Sequence, residues 1–138
     1  MGKHLLAAII LSCTASVATA ANWKLVSSWD KGMIYVDTVS IAKSPLGRKA
    51  WFWTELYSPQ KGDHGKYFSS EVTLYHYDCQ GRSSSIAKMV FYSGATQSGD
   101  IVYSWSKKST KDGLEDIIPG TVGEELFDFV CSFKNFKR

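Results

Sequence analysis

The side chains with chemical reach in this sequence are two late cysteines, two internal histidines, a run of serines and three carboxylates on apolar-rich segments. Cys79 and Cys131 have no His or second Cys at ligand spacing, which argues against a metal pair. His64 and His76 fall outside any HxH or HExxH pattern and read as structural or surface histidines. "SSS", 83–85, lacks the GxSxG elbow of a hydrolase and reads as a turn. A triad drawn from Ser83, His76 and Asp78 would have no more support than one drawn in any chain of this size. "GDHGK", 62–66, has glycines and a lysine but not the spacing or the strand-to-helix setting of a phosphate loop. Asp37, Glu55 and Glu71 lie on strand-like segments and could converge on one sheet face. Hydrolysis by paired carboxylates needs a cleft between two of them, and solvated strand positions are the simpler reading. The expectation is a protein with no catalytic residue, no metal site and no cofactor, hence not an enzyme.

These groups have to be positioned by one domain. The chain has 138 residues, 44% of them apolar and 14% aromatic, enough for one hydrophobic core. A formal charge of +3 with scattered lysines is too weak for a nucleic-acid binder. Residues 1–20, "MGKHLLAAIILSCTASVATA", read as a signal peptide: Lys3, an apolar run Leu5–Leu11, then Ala18 and Ala20 before a cut at Ala21. The run is too short for a membrane span and no later segment qualifies, so no transmembrane segment is expected. "ILSC" ending at Cys13 is a loose lipobox and makes Cys13 the competing site of lipid attachment. Residues 21–138 are then the single mature domain, exported to the periplasm, or to the outer membrane or cell surface if Cys13 is lipidated.

Alternation predicts six strands: 23–28, 33–41, 48–58, 69–79, 86–94 and 101–106. "KSPLG" and "PQKGDHGK" read as a turn and a mobile surface loop. In 69–79 the set Val72, Leu74 and His76 reads as the core face. Short connections favour an antiparallel meander. "IIPGTVGEELFDFVCSF", 117–133, then reads as a capped helix. Thr121 is the N-cap, Glu124 completes a capping box, and Glu124 and Glu125 complement the helix dipole. Lys134, Lys137 and Arg138 put positive charge at the other end. Val122, Leu126, Phe129, Val130 and Phe133 form the buried stripe, flanked by Phe127 and Cys131. The fold class is α+β: a six-stranded antiparallel sheet with the helix across one face. In an exported chain Cys131 would clip this helix to Cys79, with two free thiols or a metal pair as the alternatives.

Trp51, Trp53, Tyr75, Tyr77 and Tyr103 exceed what one core face needs. Core packing beneath the helix explains them most simply, and an interface explains the surplus. Lys61, Lys66, Lys107, Lys108 and Lys111 fall in two loops and could meet an acidic partner.

Taken together, "WKLV" near the mature start, "YVD" at 35–37, "YDC" at 77–79, Trp105 and "IIPGTVGEELFDFVC" at 117–131 resemble the surface-adhesin protein E family of Gram-negative bacteria. The resemblance covers nearly all of the mature chain. It implies a six-stranded antiparallel sheet whose C-terminal helix is tied to the concave side by a disulfide at the positions of Cys79 and Cys131. It also implies a homodimeric outer-membrane lipoprotein that binds host vitronectin, laminin and plasminogen. The expectation is an exported, non-enzymatic binding module, an adhesin for host matrix or serum proteins. The alternative is a periplasmic structural or accessory protein with a bacterial partner.

Overall fold

The structure is a computed structural model that describes residues 19–135. The cleavage and lipidation readings at residues 1–18, including Cys13, lie outside the described residues, as do Lys137 and Arg138. Six strands run in sequential order across one antiparallel sheet: β1 (Trp23–Trp29), β2 (Gly32–Asp37), β4 (Gly47–Lys61), β5 (Tyr67–Asp78), β6 (Ser83–Tyr92) and β7 (Ile101–Ser106). Two short strands lie off this path. β3 (Ala42–Ser44) pairs with β4, and β8 (Glu115–Asp116) pairs with β6. Helix α1 (Val122–Ser132) closes the chain.

Several strand limits differ from the sequence reading. β2 stops at Asp37 rather than continuing to Ile41, because the Asp37 carboxylate turns the chain. Its Oδ1 accepts the Val39 N–H at 3.1 Å and the Asn22 N–H at 2.9 Å. The segment 43–47 is a tight hairpin rather than a break: β3 and β4 pair from Ser44↔Gly47 outward. Gly47 is required there, since its φ is +139° and a Cβ would collide with the Tyr77 carbonyl. β4 runs on to Lys61 through an irregularity between Glu55 and Gln60, so the expected loop shrinks to the tip 62–66. Ser83–Ser85 belong to β6, not to a turn, and pair with Asp78, Tyr77 and His76.

Register divides the side chains between two faces. Val36, Ala50, Phe52 and Tyr77 point to the helix side and are fully or almost fully buried. The core face of β5 is therefore Glu71, Thr73, Tyr75 and Tyr77, opposite to the set Val72, Leu74 and His76 expected from aliphatic content. Aromatic packing decides it. Phe52 meets Tyr75 and Tyr77 edge-on at 5.5 and 6.3 Å, and Tyr77 meets Phe127 at 5.9 Å. Rings in these arrangements gain more than their buried area alone.

The helix is held from both ends and the middle. Thr121 Oγ1 accepts the Glu124 N–H at 3.4 Å, and Glu124 Oε2 reaches back to the Gly120 N–H at 2.8 Å, one residue beyond an ordinary capping box. Leu126, Phe127 and Val130 are buried, while Phe129 is only partly covered, with the Lys24 ammonium 5.4 Å from its ring centre. Phe127 thus belongs to the buried stripe rather than to its flank. No basic residue stands in the last turn. Arg48 serves instead: its Nη1 donates to the Val130 carbonyl at 2.5 Å and to the Phe133 carbonyl at 2.8 Å. The Val130 carbonyl also accepts the Phe133 N–H at 3.4 Å, and a cation suits this pole of the helix. Cys79 and Cys131 form the disulfide, with Cα atoms 5.6 Å apart.

Three substitutions test what holds the helix. Cys131→Ser should lower stability by up to about 4 kcal/mol, the chain-entropy value for a loop of this length, read as a fall in thermal midpoint; an unchanged midpoint would contradict the clip. Arg48→Ala should cost about 1.5–3 kcal/mol, because it removes a charged donor shared by two carbonyls at the helix end. Arg82→Ala should cost less than about 1 kcal/mol despite its 2.7 Å ion pair with Glu124, because that pair is exposed. Urea unfolding of both variants checks the ranking.

Candidate functional site

The helix covers only part of the face it packs on. It lies against β1 and β4 and over Tyr77 at the end of β5, and the rest of the β5–β6–β7 side of the same face is left as an open groove of about 1050 Å³. Its floor is Tyr75, Ile86, Met89 and Phe91. Along the outer edge of β6 it is bordered by Tyr103 and Trp105 of β7 and then, where β7 has ended, by the returning segment Glu115–Ile118. At the far end the 62–66 tip folds inward. His64 stacks on Tyr103 at 4.8 Å with an interplanar angle of 10°, and meets Phe91 at 5.5 Å. His64 Nδ1 accepts the Lys66 N–H at 3.2 Å, which leaves the proton of a neutral ring on Nε2, an atom buried without a partner. Of the two roles expected, structural or surface, His64 has the structural one, packed into the groove.

The aromatics expected at an interface separate into two groups. Tyr77 is 1% exposed beneath the helix, Tyr75 lies on the groove floor, and Tyr103, at 38% exposure, lies on its wall. Trp51 and Trp53 lie on the opposite face. There Trp53 stacks with Tyr35 at 4.7 Å and meets Trp23 edge-on at 5.8 Å, while its Nε1–H donates to Glu55 at 3.0 Å. The five lysines also divide. Lys61 and Lys107 line the groove, the latter with its ammonium 5.5 Å from the Trp105 ring centre. Lys66 and Lys108 are exposed outside the lining, and Lys111 borders a second, shallower depression beside Cys79 and Gln80.

The carboxylates do not converge. Glu55 and Asp37 stand at opposite ends of the β2–β4 pairing, and Glu71 points to the other face. Asp78 Oδ1 accepts the Gln80 and Gly81 N–H groups at 3.1 and 2.9 Å, so it shapes the β5–β6 turn rather than orienting His76. Among the described residues no group of three or more His, Cys, Asp or Glu side chains is placed to hold a metal ion. Among them no helix is long and apolar enough to cross a membrane.

Burial sets the proton chemistry of this face. It pushes the Glu71 carboxyl up from its ordinary range, and the Thr54 hydroxyl, 3.4 Å from Oε1, offsets this only in part. Burial and the nearby Glu71 charge push the Tyr75 phenol up to about 12, so its O–H stays intact in the groove floor at any physiological pH. Tyr77 is raised well above its usual value, again by burial. On the other face burial, aided by the Lys49 charge, lowers His76 and keeps it neutral.

Sequence reasoning missed most of this groove. Strict alternation sets Ile86 on the face opposite Met89 and Phe91; the irregularity in the β5–β6 register at Leu74/Tyr75 brings all three to the groove, and nothing local says which part of a sheet face a helix leaves bare. The best available signal was the polar stretch 107–116. It is long enough to swing away from β7 and return to pair with β6, opening the groove between.

Comparison with known proteins bears on both fold and family. The family model for Surface-adhesin protein E matches residues 23–132. Among solved structures, the crystal structure of protein E from non-typeable Haemophilus influenzae is similar at 14% identity. The match covers 87% of this chain and 82% of that one, with a TM-score of 0.51. A second structure of Haemophilus influenzae protein E matches at 14% identity over 78% of this chain and 88% of that one, with a TM-score of 0.48. No curated protein sequence matches this chain.

The buried carboxyl yields a pH prediction. Glu71 keeps its proton to higher pH in the folded chain than in the unfolded one, so folding takes up a proton between the two values. Stability should fall as pH rises from the ordinary carboxylate value through the raised one. Glu71→Gln should therefore melt higher than the parent at pH 7, and the gain should vanish near pH 4. Equal pH profiles for the two proteins would contradict it.

Proposed function

The chain belongs to the surface-adhesin protein E family, and from that membership we propose that it is an exported binding module, not an enzyme, that attaches to a host extracellular-matrix or serum protein. The observation that carries this reading is the span of the family match, which takes in every strand of the sheet and α1. Vitronectin, laminin and plasminogen are the partners that the family resemblance implies. Export uses residues 1–20 as a signal peptide, with residues 21–138 as the mature domain and Cys13 as the lipid attachment point if the chain is displayed at the outer membrane. A homodimer is the assembled form, and β1 and β7, the edge strands of the sheet among the described residues, suit it, since an unpaired edge presents backbone donors and acceptors to a second copy.

The lysines at the 62–66 tip and after β7 supply the charge for an acidic partner. Lys61 and Lys107 face one groove, while Lys66, Lys108 and Lys111 extend the basic surface on either side. Surface charges of this kind steer association and are screened by salt.

The oxidised mature chain should bind immobilised vitronectin, laminin or plasminogen saturably at physiological salt. Changing Lys61, Lys66, Lys107, Lys108 and Lys111 together to Gln should weaken that binding by about tenfold, the effect of about 1.4 kcal/mol, and should mimic high salt. Unchanged affinity would remove the lysines from the account. No binding to any of the three, with a bacterial protein co-purifying from the periplasm instead, would replace the matrix reading with an accessory role in the envelope.

A further inference from the structure

The groove has a shape and a charge order that the family match does not explain. It follows β6 from Ser84 to Phe91. Seven steps at strand rise give a trough about 23 Å long, too long for a compact ligand to fill and right for an extended chain of about seven residues. The floor is apolar, with Ile86, Met89 and Phe91 spaced along it. The charges are not evenly spread. Glu115 and Asp116 stand exposed on the wall at the end nearest α1, and neither has a cationic partner among the described residues. At the other end Lys61 is offset by Asp63, and Lys107 leans on the Trp105 ring between the two ends. The trough is thus acidic at one end.

We infer that this groove binds an extended peptide segment of a partner protein, about seven residues long, with apolar side chains along its middle and a basic residue at the end that meets Glu115 and Asp116. The inference rests on the binding reading above and names the part of the partner this surface takes. Apolar side chains of the segment settle on Met89 and Phe91, as main-chain-extended ligands do in other open troughs. The Tyr75 hydroxyl, protonated throughout, offers a hydrogen bond from the floor. Arg or Lys at the acidic end gives the segment its register. A charge there also rejects acidic competitors, because Glu115 and Asp116 would then face like charge.

The test uses the oxidised mature chain and two fluorescein-labelled heptapeptide pools. One is Arg-Arg-X-X-X-Ser-Gly with X drawn from Leu, Phe and Val, and the other replaces both Arg by Glu. By anisotropy the basic pool should saturate and the acidic pool should bind at least about tenfold more weakly. The double variant Glu115→Gln, Asp116→Asn should erase that preference, and Tyr103→Ala should weaken the basic pool while leaving the preference in place. Absence of saturation with either pool, equal binding of both, or a preference that survives the double variant would overturn the inference. Matrix-protein binding run in parallel separates the two readings. Peptide failure with matrix binding intact removes only the groove, and peptide binding without matrix binding removes only the matrix partner.

Discussion

The docking of α1 on half of a single sheet is the constraint from which the rest follows. Six strands in one layer are about 24 Å wide at the usual spacing, and a helix with its side chains is about 10–12 Å across. One helix cannot cover such a face. Where it lies is decided by Leu126, Phe127 and Val130, which are buried against Val36, Ile41, Phe52 and Tyr77. The disulfide and Arg48 hold it there, one through Cys131 and the other through the last carbonyls. What the helix leaves bare becomes the groove.

That division explains why two neighbouring tyrosines on one strand do different things. Tyr77 lies under the helix and contributes packing, whereas Tyr75, stacked beside it at 5.7 Å, also faces the groove. Glu71 continues the same row and carries the cost of burial in its proton affinity. A buried carboxyl with no cationic partner among the described residues is a local conflict, and such conflicts are tolerated where the surrounding fold is well determined. The opposite face shows the other solution to an uncovered sheet. Its aromatics pair with one another, Trp53 between Tyr35 and Trp23, and cover part of each other's surface.

Much of this fold was legible in the sequence because the signals are local. The strands alternate, Thr121 and Glu124 announce the helix start, and two cysteines in an export context suggest a clip. The resemblance carried by "YDC" and "IIPGTVGEELFDFVC" pointed to the same arrangement, and the family match over residues 23–132 bears it out. What was not legible depends on tertiary partners. The core face of β5 was read from aliphatic content, but ring packing among Phe52, Tyr75, Tyr77 and Phe127 outweighs Val72 and Leu74. The serines 83–85 looked like a turn, yet their backbone pairs with β5 on one side and, at Ser83 and Ser84, with β8 on the other. His64 is a loop residue, as expected, but its stacking on Tyr103 was not legible, because the two are 39 residues apart in sequence.

The most direct test of the account is hydrogen exchange of the oxidised and reduced protein, followed by peptide. If the clip fixes the helix and the helix divides the face, reduction should deprotect residues 122–132 strongly. β4 and β5 should stay protected, since their ladder does not depend on the disulfide. Protection of the helix that survives reduction undiminished would contradict the account and would mean that packing alone holds it.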